Sequence, residues 1–165
     1  MQITIREALP EELETAGDLT AAAYRDDGLA TQAYLPRLAD AAARHAAEGT
    51  WQLVAVDPAG TVVGAAVYTV AGSQYADIAA DAEAELRMLA TAKTARGHGV
   101  GQALVRHCLD RARAEGRPAL VLSTKPEMAA AQRLYSRLGF QRMPDRDWEY
   151  APGHGLLAFR FPLVV

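Results

Sequence analysis

Arg96-Gly97-His98-Gly99-Val100-Gly101 sets three glycines in alternation directly ahead of a helix-forming stretch. Glycine leaves backbone N–H groups uncovered, and a helix start adds unpaired N–H groups and the positive end of the macrodipole. The chemistry this favours is anion capture, and a loop of this length suits a pyrophosphate. A side chain at Gly99 or Gly101 would hold a phosphate away from those amides. Residue types exclude two other cradles. A Walker loop ends in Gly-Lys-Ser/Thr, whereas Gly101 is followed by Gln102-Ala103. A dinucleotide turn needs G-x-G-x-x-G and an acid closing the next strand, but Ala119-Leu120-Val121-Leu122 runs into Ser123-Thr124-Lys125.

Three other side chains could take part in chemistry. Gly101, Leu104, Val105, Cys108, Leu109 and Ala112 recur at helical spacing and predict one apolar stripe, with His107 and Arg111 off it at the surface. Cys108 on that stripe is a packing residue, which argues against an acyl-cysteine intermediate. On a later helix, Met128, Ala131, Tyr135 and Leu138 share a side, so Tyr135 reads by itself as an aromatic core residue. Over 83–91, strand alternation sets Glu83, Glu85, Arg87 and Leu89 on one face and Ala84, Leu86, Met88 and Ala90 on the other. By itself Glu85 then reads as a surface charge paired with Arg87. His45, His98 and His154 have no partner at metal-ligand spacing, and no metal is expected.

The Arg96–Gly101 motif resembles the acyl-CoA signature of the GCN5-related N-acetyltransferases. Glu85-Leu86-Arg87-Met88-Leu89-Ala90-Thr91 resembles that family's splayed fourth strand. Ala131-Gln132-Arg133-Leu134-Tyr135-Ser136-Arg137-Leu138-Gly139-Phe140 resembles its second signature, A-x-x-L-Y-x-x-x-G-F. The resemblance implies acetyl-CoA as cosubstrate. Main-chain groups of Leu89, Ala90 and Thr91 would meet the pantetheine arm. Arg96 and the backbone of Gly97, His98, Gly99, Val100, Gly101 and Gln102 would hold the pyrophosphate. Tyr135 would protonate the departing thiolate, and Glu85 would serve as general base with Glu83 in reserve. Two positions depart from the pattern: Lys93 stands where the family often has proline, and Met128 where it often has asparagine.

Around these residues the chain predicts strand 2–7, a helix from Pro10 to about Arg25, and an alanine-rich helix from about Gln32 to Ala47. Strands at 51–56 and 62–70 flank an Asp57-Pro58-Ala59-Gly60 turn. Strand 84–91, helix 100–115, strand 119–124, helix 127–138 and strands near 139–143 and 156–163 complete one domain over 1–165. This is an α+β order. The resemblance implies an α/β/α sandwich: a mixed, mostly antiparallel sheet of about seven strands, splayed between strands four and five and flanked by about four helices.

Composition bounds the role. One cysteine and a strand at the very start, in place of a signal peptide, fit a cytoplasmic protein. A net charge of −3 with mixed signs gives no case for nucleic acid, and no apolar run is long enough for a membrane span. The expected reaction is acetyl transfer to a primary amine of a small molecule or peptide; the alternatives are a non-catalytic acyl-CoA-binding regulatory domain and a purely structural interaction domain. Acidic and aromatic residues in the linking segments, among them Tyr24, Asp26, Asp27, Tyr34, Asp77 and Trp148, would suit a cationic acceptor. Arg142 and Arg146 would instead favour a carboxylate-bearing one. Leu156–Phe161 is a candidate sheet edge for a homodimer.

Overall fold

The computed structural model describes residues 2–163. Its elements run β1 (Thr4–Glu7), α1 (Leu13–Asp26), α2 (Leu35–Ala39), α3 (Ala41–Ala46), β2 (Thr50–Val56), β3 (Val62–Val70), β4 (Ala84–Thr91) and α4 (Val100–Ala114). They continue with β5 (Ala119–Thr124), α5 (Ala129–Leu138), β6 (Gln141–Arg142), β7 (Trp148–Ala151) and β8 (His154–Pro162). The strands form one eight-stranded sheet in the order β1-β2-β3-β4-β5-β8-β6, with β7 also paired to β8. Every pairing is antiparallel except β4 with β5. The expected mixed sheet is therefore present, with β7 as an additional strand.

Alternation along β2 and β3 builds a core on each face. Leu53, Ala55, Ala66 and Tyr68 pack with the α4 residues Leu104, Val105 and Cys108. Val54, Val56 and Ala65 meet Ala16 of α1 and Ala41 of α3 on the opposite side. The stripe on α4 lies where its period puts it, but Val100 joins the buried set and Gly101 stays at the rim. Arg111 departs from the surface reading. Its guanidinium stacks 4.3 Å from the Trp51 ring and 4.7 Å from the Tyr68 ring, using its flat cation against aromatic faces.

β4 and β5 pair only at Ala84 with Leu120 and Glu85 with Val121, and then part. A bulge in β4 accompanies the parting. Ala65 pairs with Ala90 and Val67 with Arg87, so Met88 and Leu89 together oppose Ala66, and Met88 takes φ 53°. The extra residue breaks the alternation expected for this strand. Met88 turns to the face of Arg87 and packs on Val67, Ala21 and Leu38, while Leu89 moves to the cluster that holds Leu86.

Three further expectations are corrected. The helix from Gln32 to Ala47 is two short helices, because Asp40 leaves helical geometry (φ −88°, ψ 66°) and its carboxylate caps α3 by accepting from the Ala43 amide at 3.1 Å. The segment 144–155, given no element from the sequence, contains β7. Leu156–Phe161 is no edge: β8 has β5 on one side and β6 and β7 on the other. None of the described helices is long and apolar enough to cross a membrane.

Gly64 of β3 sets how deeply α4 seats. A Cβ there would lie 2.6 Å from Val100 Cγ1 and 3.2 Å from Leu104 Cδ1. Gly64→Ala is expected to cost about 1–3 kcal/mol by overpacking and to lower Tm by several degrees in a thermal melt; an unchanged Tm would show that α4 can shift freely.

Candidate active site

The glycine loop forms one wall of a groove that begins at α4 and runs along the opened edge of β4. Gly97 and Gly99 have φ 82° and 77°, a left-handed conformation that suits glycine. The loop also turns its amides outward. Those of Gly97, Gly99, Val100, Gly101 and Gln102 carry no hydrogen bond to any described residue, while Ala103 begins the helical ladder by donating to the Gly99 carbonyl at 3.0 Å. These are the orphan donors of a helix start, reinforced by two loop amides. A Cβ on Gly101 would make only ordinary contacts, with Leu134 Cδ2 at 3.8 Å and Leu89 Cδ2 at 3.9 Å, so packing does not require glycine there and the space belongs to the groove. Arg96 stands at the mouth in an exposed ion pair with Asp27 at 3.3 Å. Leu89, Ala90 and Thr91 line the same groove.

Beyond Leu89 and Met128 the groove opens into a cavity of about 380 Å³, wedged between the parted strands. Tyr135 lines it. Its ring packs 5.6 Å from Phe140 and 6.2 Å from Phe159, so this aromatic core residue also borders the cavity. The phenol has no hydrogen-bond partner among the described residues, and burial raises its pKa well above the ordinary tyrosine value, holding it neutral. Met128 borders both the groove and the cavity, with its sulfur accepting from the Thr124 hydroxyl at 3.4 Å.

Glu85 is fully buried beneath the segment that precedes β4. Its Oε1 accepts from the amides of Asp77, Ile78 and Ala79 at 2.9–3.0 Å, and its Oε2 is buried with no partner among the described residues. Burial pushes this carboxyl up to about 7, outweighing the amide donors that favour its charged form. Glu85 is not on the cavity wall. Glu83 is farther from that role. Arg146 at 2.8 Å and Arg160 at 3.1 Å clasp it, and against the effect of burial they hold its pKa below the usual range.

This layout agrees with comparisons to known proteins. Residues 13–140 match the model of the acetyltransferase (GNAT) family. The chain belongs to this family. A GCN5-related N-acetyltransferase from Kribbella flavida superposes with a TM-score of 0.75 at 27% identity, covering 98% of each chain. A GNAT-family acetyltransferase from Staphylococcus aureus does so at 0.75 with 15% identity, covering 99% of this chain and 100% of that one, a likeness of fold alone. A 56-residue stretch is 41% identical to N-alpha-acetyltransferase 30 of Saccharomyces cerevisiae, spanning about a third of that protein (32%).

Within this GNAT domain the groove fits an acyl-CoA: outward amides and Arg96 for the pyrophosphate, and an unpaired strand edge at Leu89–Thr91 for the amide-bearing arm. His98 is the exception in its loop, because it is absent from the groove lining and its amide donates to the Ala95 carbonyl at 3.4 Å. Cys108 is away from groove and cavity, with its thiol pushed up to about 12 by burial.

The acceptor segments deliver aromatics to the cavity but few acids. Tyr24, Tyr34, Trp148 and Tyr150 line it, whereas Asp26, Asp81, Asp145, Asp147 and Glu149 do not. Arg142 is bound to Asp147 at 2.7 Å and Arg146 to Glu83, so neither reaches the cavity. Three basic residues that the sequence did not single out for this role, Arg37, Arg87 and Lys125, line it instead. Lys125 had one usable signal, its place immediately after β5 where the sheet parts.

Gly101→Glu is expected to abolish acetyl-CoA binding in calorimetric titration while Tm stays within a few degrees, since the added Cβ clashes with nothing; retained affinity would remove the loop from the binding site. For Glu85, the raised folded pKa stabilises the fold below its unfolded value near 4.3, and that contribution is lost as pH rises through about 7. Between pH 5 and pH 8 the wild type should lose roughly 2–3 kcal/mol more stability than Glu85→Gln in urea unfolding. Parallel pH profiles would mean that Glu85 is ionised throughout.

Proposed function

We propose that the protein transfers the acetyl group of acetyl-CoA to a primary amine by direct attack in a ternary complex, with Tyr135 as general acid. The observation that carries this reading is continuity. Five outward amides begin a groove that follows the open edge of β4 and ends at a cavity where the Tyr135 phenol stands without a partner.

Acetyl-CoA, when bound, supplies an activated thioester carbonyl. The residues of the chain do the rest. Gly97 and Gly99–Gln102 present N–H groups to the pyrophosphate, and Arg96 exchanges its exposed Asp27 partner for phosphate oxygen. Leu89–Thr91 offer strand hydrogen bonds to the pantetheine amides. The amine nitrogen bonds to the carbonyl carbon as the carbon–sulfur bond breaks; the amine yields a proton to solvent and the sulfur takes one from Tyr135. Burial keeps the Tyr135 phenol neutral and holding its proton, and the same apolar surroundings disfavour a free thiolate, which draws that proton to the departing sulfur. Glu85, held under 77–79, acts here as a positioning residue that fixes Asp77 beside Arg87.

A second reading, a non-catalytic acyl-CoA-binding domain, draws on Met128, a thioether where groove meets cavity, and on Asp77, the cavity's one carboxylate, which is tied to Arg87 at 3.0 Å. Tyr135→Phe separates the two. Release of free thiol in the presence of an amine should fall about 10²–10⁴-fold in kcat with little change in KM for acetyl-CoA. Unchanged turnover would remove Tyr135 from the acid role, and wild-type binding without turnover of any amine would favour the second reading.

A further inference from the structure

The charges on the cavity wall select among amines, an inference that rests on the acetyltransferase reading above. Its ionisable walls beyond the tyrosines are Arg37, Arg87, Lys125 and Asp77. Asp77 and Arg87 cancel in their ion pair at 3.0 Å. Arg37 and Lys125 make no ion pair with any described carboxylate. The Arg37 guanidinium lies over the Tyr75 ring at 5.1 Å. The Lys125 ammonium donates to the Leu29 carbonyl and stands 5.3 Å from the Tyr150 ring, which leaves further N–H donors for a ligand. The same wall includes Trp148, whose indole N–H is buried without a partner among the described residues. The cavity therefore carries an excess of positive charge, and its single carboxylate is already engaged.

We propose that the acceptor is an amine that also carries a carboxylate, an amino acid or close analogue, with Lys125 and Arg37 as the residues that hold the carboxylate. A purely cationic amine would enter against two uncompensated positive charges, whereas a carboxylate gains charge-assisted hydrogen bonds from both. The aromatic lining from Tyr24, Tyr34 and Tyr150 suits an amino acid with an apolar side chain, and about 380 Å³ accommodates one.

The test compares common L-amino acids with their carboxamides as acceptors, following free thiol released from acetyl-CoA by the full-length protein. The carboxamide is a stringent control, because its amine loses a proton more readily yet it lacks the carboxylate. The expected result is a kcat/KM at least about 30-fold higher for the best amino acid than for its carboxamide. Lys125→Met and Arg37→Met should each lower that ratio about tenfold or more, through KM for the amino acid rather than kcat, as expected for removal of a charge-assisted contact. Carboxamides or diamines turned over as well as amino acids would overturn the proposal. So would a ratio unmoved in both variants, or acetyl-CoA binding with no amino acid acetylated. Calorimetric titration with acetyl-CoA alone, run first, separates the two levels: absence of binding defeats the acetyltransferase reading itself, while binding with a preference for cationic amines defeats only the carboxylate assignment.

Discussion

Two strands that begin as neighbours and then part are the constraint on which the rest of the molecule depends. β4 and β5 share register only at Ala84–Leu120 and Glu85–Val121. Past those pairs each strand keeps its other neighbour, so the sheet stays continuous while a wedge opens inside it. The exposed β4 edge would be a liability on a surface, where unpaired N–H and C=O groups invite another strand. Here residues of α4, α5 and the 27–34 segment line the space beside it. The bulge at Met88 belongs to the same device: it turns Met88 toward α1 and α2 and leaves Leu89 at the junction of groove and cavity.

The wedge needs bracing from both sides. On one side, Glu85 gathers the amides of 77–79 and Glu83 gathers Arg146 and Arg160, so the segment before β4 is bound to that strand and to the region of β8. On the other, Lys125 at the end of β5 reaches the Leu29 carbonyl across the cavity. These carboxylates therefore act as struts around the site. Desolvation makes such struts costly unless every oxygen is satisfied, and Glu85 with its unpartnered Oε2 is the one left exposed to a change of pH.

Much of this was legible in the chain. Glycine alternation ahead of Val100 pointed to a loop of unbonded amides, which depends on local backbone conformation alone, and the α4 stripe followed from period. What escaped depends on contacts between distant segments. A bulge adds no marker residue, so the sequence at 83–91 alternates without a break although Ala66 lies opposite both Met88 and Leu89. Asp40 split a helix that alanine content favoured, because a carboxylate that caps one helix interrupts another. Arg111 looked like a surface cation, and only the placement of Trp51 and Tyr68 on adjacent strands turned it into a stacking partner. The charge balance of the cavity wall was least legible of all: Asp77 and Trp148 stood among the sequence candidates but Arg37 and Lys125 did not, and the four come from separate segments that meet only after folding.

The missing side chain at Gly64 bears on binding as well as on packing. It lets Val100 settle against β3, and Val100 is the first residue of the helix whose leading amides face the groove. Those donors are held at a fixed depth and direction relative to β4 before any ligand arrives. Their ordering entropy is thus met during folding, and on the proposed function an acyl-CoA would meet a template that need not be assembled around it. Loosening this helix–strand contact by heat, denaturant or mutation should therefore erode affinity for the phosphates while the sheet itself is still intact.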